Sequence, residues 1–218
     1  MGYSSLSECV NDLEKHGHLI RVKEEVDPYL EMAAIHMRVY DAEGPALYFE
    51  NIKGSKFPAV SNLFGTLARS KFMFRDSLDH VKRLVDVKMN PMSVLKKPFD
   101  YVGSAAVAMG ALPWKKSRNA PISFGQTRIQ DLPQIVNWPM DGGAFVTMPQ
   151  VYSEDIDKPG IMQANLGMYR IQLSGNDYIP NEEIGLHYQL HRGIGVHQTK
   201  ANALGKPLKV SIFVGGPP

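Results

Sequence analysis

A single cysteine, Cys9, occurs in 218 residues, which excludes an intrachain disulfide and a cysteine-rich metal site. No apolar run approaches the ~20 residues that a membrane span needs. The N-terminus shows no basic segment followed by an apolar one, so no secretory signal is read there. Leu6 stands where a myristoylation pattern wants Ser or Thr. An excess of one charge is also lacking, and the net charge of +2 is too small to argue for nucleic acid or an anionic membrane. The densest basic cluster, Lys115-Lys116-Ser117-Arg118, reads as a solvated loop. No Walker or Rossmann glycine fingerprint occurs. The absence of a Gly-x-Ser-x-Gly elbow argues against a serine hydrolase. What remains is the expectation of a cytoplasmic globular protein of one or two domains. Its 44% hydrophobic and 21% charged residues are ordinary for that class.

Helical signals are confined to the first half. Ser5-x-x-Glu8 predicts a capping box for a helix whose apolar stripe is Leu6, Val10 and Leu13, ending before Gly17. Leu19 to Val22 predicts a short strand. Asp27-Pro28 predicts an N-cap and first helical residue for a second helix carrying Leu30, Ala33, Ala34 and Met37. Gly44-Pro45 breaks to a strand at 46–49, another strand is expected at 59–63, and a helix near Ser77 carries Val81, Leu84 and Val85. This alternation predicts a small α/β or α+β domain up to about Leu112.

From Pro113 the pattern changes. Prolines 121, 133, 139 and 149 punctuate it, and short apolar segments at 146–151, 160–163, 168–173, 184–191 and 208–214 read as strands. Many short strands with Gly, Pro and Asn-Asp turns predict an antiparallel barrel or sandwich. Asp141-Gly142-Gly143 reads as a turn.

The chemistry-bearing residues lie in this second region. Asn165-Leu166-Gly167-Met168-Tyr169-Arg170 embeds an amide and a cation among apolar residues, and Leu190-His191-Arg192-Gly193 follows about 20 residues on. Asn and His can ligate a divalent ion, and Arg offers a planar fork for carboxylate or phosphate. Two strands joined across Ser174-Gly175-Asn176-Asp177 would bring Asn165, Arg170 and His191 to one site. His187 and His191 are not expected to form a metal pair, since on a strand they lie roughly 13 Å apart. No cluster is read among His16, His18, His36, His80 and His197.

The segments N-L-G-M-Y-R-I-Q at 165–172, L-H-R-G-I-G at 190–195 and P-L-K-V-S-I-F-V-G-G-P-P at 207–218 closely resemble the UbiD family of reversible decarboxylases. The stretch from Leu13 to Val22, Asp131-Leu132-Pro133-Gln134 and Trp138 to Gly143 fit the same pattern, so the likeness covers nearly the whole chain. Members run to several hundred residues. This chain stops inside the family pattern, before a Met-Pro cofactor loop, a metal-binding glutamate and the acid/base carboxylates.

The resemblance implies an α+β fold with an N-terminal α/β domain over 1–112 and an incomplete, mainly antiparallel split β-barrel over 113–218. It implies prenylated FMN as cofactor and manganese, with potassium, at the cofactor phosphate. Asn165 and His191 would be metal ligands. Met168, Tyr169, Arg170, His187, Tyr188, Gln189, Arg192 and Gly193 would contact the cofactor. Arg170, beside the flavin ring, would be the catalytic residue. The implied reaction is non-oxidative decarboxylation of an aromatic or α,β-unsaturated acid, such as a hydroxybenzoate of quinone biosynthesis. A flavin prenyltransferase would supply the cofactor, and a homo-oligomer is expected. The alternative is a flavin- or metal-binding subunit or fragment that needs a second chain. A flavin reductase-like oxidoreductase would need a nicotinamide site, and none is read.

Overall fold

A computed structural model describes residues 2–90, 109 and 125–218. The expected boundary near residue 112 and the Lys115–Arg118 cluster lie outside the described residues.

Helix α1 (Leu6–Lys15) begins as its cap predicts, with Ser5 Oγ accepting the Glu8 N–H at 3.1 Å. The box closes one residue further out than the motif suggests. The Glu8 carboxylate accepts from Ser4 N at 2.7 Å and Ser4 Oγ at 2.6 Å, which holds its pKa below the usual range. The helix ends in a Schellman turn, with Gly17 at φ +73°, its N–H on Glu14 O (3.1 Å) and the His18 N–H on Leu13 O (2.8 Å).

Strand β1 (Leu19–Val26) runs four residues beyond its predicted end, and β2 (Ala46–Ile52) pairs parallel to it. Helix α2 (Glu31–Asp41) makes the crossover that parallel pairing requires. β3 (Ala59–Ser61) adds antiparallel to β2, so the sheet order is β1-β2-β3. Alternate residues serve two layers. Leu19 and Ala46 pack with Cys9, Val10 and Leu13 of α1, whereas Leu47 and Phe49 pack with Met32 of α2. A sheet covered on both faces explains why β2 reads as a nearly continuous apolar run.

The predicted start of α2 is corrected by three residues. The Asp27 carboxylate accepts the Tyr29 N–H at 2.8 Å, and Leu30 has φ +65°, so 27–30 forms a side-chain-closed turn rather than a first helical turn. That turn has another use. The Leu30 N–H reaches Val136 O and the Val136 N–H reaches Pro28 O, both at 3.0 Å, tying the first half of the chain to the second. Ser55 Oγ donating to Asp131 O at 2.9 Å adds to the junction.

Helix α3 (Leu67–Met73) was not expected. Thr66 caps it, and Arg69, 2% exposed, donates to the carbonyls of Leu63, Gly44 and Asn62. Helix α4 (Leu78–Met89) starts where Ser77 predicts.

The second region holds two three-stranded antiparallel sheets. One orders β4 (Phe145–Val146), β7 (Ile171–Gln172) and β8 (Gly185–Leu186) as β4-β7-β8. The other orders β5 (Gln150–Glu154), β6 (Ala164–Met168) and β9 (Val210–Phe213) as β6-β5-β9. The antiparallel expectation holds, but four predicted strands are corrected. The strand at 146–151 divides at Pro149, which cannot donate to a ladder. Residues 161–163 form a 3-10 turn. The strand at 168–173 splits, with Met168 closing β6 in one sheet and Ile171 opening β7 in the other. The strand at 184–191 shrinks to Gly185–Leu186. After it, helix α5 (Gly193–Ala203) packs on β5 and β6, and no helix was predicted there. The Asp141 carboxylate accepts the N–H groups of Asn137 (3.2 Å) and Trp138 (3.0 Å), so it closes a turn as expected.

Candidate functional site

Strand β6 alternates its side chains between two surroundings. Asn165 and Gly167 share the face of Ser153 and Val151, their register partners on β5, and α5 covers that face. Leu166 and Met168 project to the other face and are exposed, 63% and 64%. Asn165 and Met168, read as parts of one site, therefore leave β6 on opposite sides.

After Met168 the chain turns a corner. Tyr169 folds inward, buried against Val151 and Ile194, and its ring lies over Gly167, where a Cβ would meet the hydroxyl at 2.8 Å. Its hydroxyl accepts from Asn165 Nδ2 at 3.3 Å. Asn165 Oδ1 accepts no hydrogen bond among the described residues. This oxygen faces the start of α5, where a Cβ on Gly193 would lie 2.8 Å from Asn165 Cγ and closer still to Oδ1. His191 is two residues upstream, within about 7 Å of Gly193 along the backbone. Arg192, the N-cap of α5, makes no side-chain cap, and its Nε donates instead to Gln189 Oε1 at 3.3 Å.

Arg170 turns outward. Its guanidinium lies 5.3 Å over the Phe145 ring, and Phe145 meets the His187 ring edge-on at 5.4 Å. The His187 N–H donates to Arg170 O at 3.1 Å. Among the described residues Arg170 has no carboxylate partner. The site residues thus form two groups: Asn165, Tyr169 and Gly193 at the foot of α5, and Arg170, Phe145 and His187 at the corner between sheets. No group of three His, Cys, Asp or Glu side chains suited to a metal occurs among the described residues.

Sequence reasoning missed Phe145, Ser153 and His197. Ser153 Oγ lies 3.0 Å from His197 Nδ1 in the interior. Near them Lys200 pairs with Asp155 and holds its carboxyl down at about 2, helped by the Asp157 N–H. His197 belongs to a buried helical series with Ile194 and Ala201 that shows once α5 is recognised.

Comparison with known proteins settles the lineage. Residues 10–88 match the 3-octaprenyl-4-hydroxybenzoate carboxy-lyase N-terminal domain, and residues 115–218 match the Rift-related domain of the same family. The chain belongs to the UbiD family. It is 37% identical over 218 residues to a Chlamydia pneumoniae protein named as a subunit of 4-hydroxybenzoate decarboxylase, covering 99% of this chain and 36% of that one. It is 36% identical to an uncharacterized protein of Chlamydia trachomatis, again covering 36% of the relative. Among solved structures it matches the Sedimentibacter hydroxybenzoicus vanillic acid decarboxylase with a TM-score of 0.78 and 26% identity, covering 99% of this chain and 44% of that one. The Pelotomaculum thermopropionicum UbiD-class enzyme HmfF, solved with prFMN, shares the fold (TM-score 0.74, 23% identity, 99% and 45% coverage). The chain spans 36–45% of the length of these relatives. Among its described residues no helix is long and apolar enough to cross a membrane.

Proposed function

We propose that this chain forms the N-terminal domain and part of the cofactor-binding domain of a UbiD-class decarboxylase acting on an aromatic or α,β-unsaturated acid. The observation that carries the reading is the Asn165 amide. Its nitrogen is held by Tyr169, while its oxygen is left free beside Gly193 at the uncapped start of α5, two residues after His191 in the chain. A free amide oxygen suits manganese, an imidazole is a common transition-metal ligand, and the N–H groups of a helix start suit the cofactor phosphate. The Asn165 oxygen fits the group as one ligand, and His191 is assigned as a second. Potassium belongs to the same assignment, as do the split barrel, the division near residue 112, a homo-oligomer, a cytoplasmic location and supply of the cofactor by a flavin prenyltransferase.

Prenylated FMN, when bound, supplies the electron sink that no side chain offers for an electron pair left on an sp² carbon. The chain's own part is placement. Phe145 braces the Arg170 guanidinium and no carboxylate among the described residues occupies it, so its fork can take a substrate carboxylate. Orientation and charge stabilisation follow, without proton transfer. His187, Tyr188, Gln189 and Arg192, on the segment leading into α5, are assigned to the cofactor, with Met168 on the exposed face of β6. A hydroxybenzoate is the favoured substrate, by likeness to the Chlamydia pneumoniae relative.

That relative's name, as one part of a multi-chain enzyme, supports a second reading, in which the chain contributes a flavin site completed by another polypeptide. The test is to supply the full-length protein with prenylated FMN, Mn²⁺ and a panel of aromatic and unsaturated acids. Carbon dioxide release is expected. Stable cofactor binding without turnover, until a second chain is added, would favour the second reading. Nicotinamide oxidation would overturn both.

A further inference from the structure

His197 has no part in the chemistry just assigned, yet it sits in the middle of α5, 8% exposed, with Nδ1 at 3.0 Å from the Oγ of Ser153, itself 1% exposed. An imidazole and a hydroxyl in the interior cost free energy unless they satisfy each other, and a purely apolar pair would fill the space without that demand. The position of the pair is informative. Ser153 is the register partner of Asn165, so the two side chains leave the sheet as immediate neighbours on the face that α5 covers. Gly193, His197 and Lys200 follow at i, i+4 and i+7, along one side of the helix. The first meets Asn165, the second Ser153 and the third Asp155. The third contact lies at the rim, with Lys200 41% exposed, and a rim pair constrains geometry weakly. The buried pair is the directional contact on this face, beside the apolar packing of Ile194 on Val151 and Tyr169.

We propose that His197 is a positioning residue. Through Ser153 it sets the rotation and height of α5, and thereby the placement of the helix start and of His191 relative to Asn165. This rests on the reading of Asn165 and His191 as metal ligands.

The test uses the full-length protein with three substitutions. His197→Phe keeps the ring volume without the hydrogen bond, His197→Asn retains a polar atom where Nδ1 stands, and Ser153→Ala removes the partner. Two readouts are combined. One is the side-chain amide resonance of Asn165 in the metal-free chain, and the other is Mn²⁺ affinity by electron paramagnetic resonance. His197→Phe and Ser153→Ala should each shift and broaden the Asn165 amide signal and weaken Mn²⁺ binding about 10- to 100-fold, the range for removing a group that orients a ligand. His197→Asn should restore most of both. In an Asn165→Ala background, His197→Phe should add little, because coupled sites are not additive. An unmoved Asn165 signal in His197→Phe, or a loss of affinity equally large in both backgrounds, would overturn the proposal. Mn²⁺ affinity unchanged by Asn165→Ala would instead overturn the metal reading, and the amide signal would still report on positioning. A His197→Phe chain that fails to fold leaves the decision with Ser153→Ala and His197→Asn.

Discussion

Gly193→Ala should separate the stability of the fold from the competence of the site. An added Cβ would stand 2.8 Å from Asn165 Cγ and 3.2 Å from its Cβ, with Oδ1 nearer still, so the Asn165 side chain must rotate away. Rotation breaks the 3.3 Å bond from Nδ2 to the Tyr169 hydroxyl. Losing such a bond costs about 0.5–1.5 kcal/mol. Replacing glycine by alanine in a helix returns up to about 1 kcal/mol, and less at its first residue. The two effects nearly cancel, leaving a net destabilisation on the order of 1 kcal/mol or less. A chain of this size should then melt only about 2–4 °C lower. The rotated amide no longer presents its oxygen to the site, so Mn²⁺ affinity should fall about 10-fold or more. Calorimetry and a Mn²⁺ titration on the same sample check both halves. A variant that melts normally and still binds Mn²⁺ as the parent does would refute the idea that this glycine exists to make room for Asn165.

Arg170→Ala in the full-length protein should cost about 10²–10³ in turnover, as for loss of a fixed charge stabiliser, with an unchanged circular dichroism spectrum. Near-normal turnover would remove Arg170 from the mechanism. The Asp155–Lys200 pair predicts an acid response. Asp155 falls from its ordinary 3.8 to about 2 in the folded chain, so its contribution is complete above pH 4 and is lost as pH drops from about 4 to about 2. Lys200→Met should flatten that part of the acid-unfolding curve, and an unaltered curve would show the pair to be idle. Gly17→Ala places a Cβ at φ +73° and should destabilise the chain by about 1–2 kcal/mol, read from urea unfolding.

The first half was legible because its signals are local. Ser5, Glu8 and Gly17 mark the ends of α1 within a few residues, and Ser77 marks the start of α4. Asp27-Pro28 misled because an Asp side chain closes a turn as readily as it caps a helix, and the choice depended on Val136, more than 100 residues away. In the second half, the apolar run around Arg170 looked like one strand because nothing local says that two sheets part company at Tyr169. Helix α5 was hidden because its buried side is built from Ile194, Gly195, His197 and Ala201, of which two do not read as apolar anchors. For the same reason His197 looked like one of several scattered histidines, although Asn165 and His191 stood out by their motif.

The edge position of β6 has a consequence for anything that binds there. In the order β6-β5-β9, β6 is outermost and pairs with no other described strand. Asn165 and Met168 leave that border on opposite sides. A single molecule reaching both would have to pass over the rim of the sheet. Along the rim it meets main-chain N–H and C=O groups that no described strand pairs.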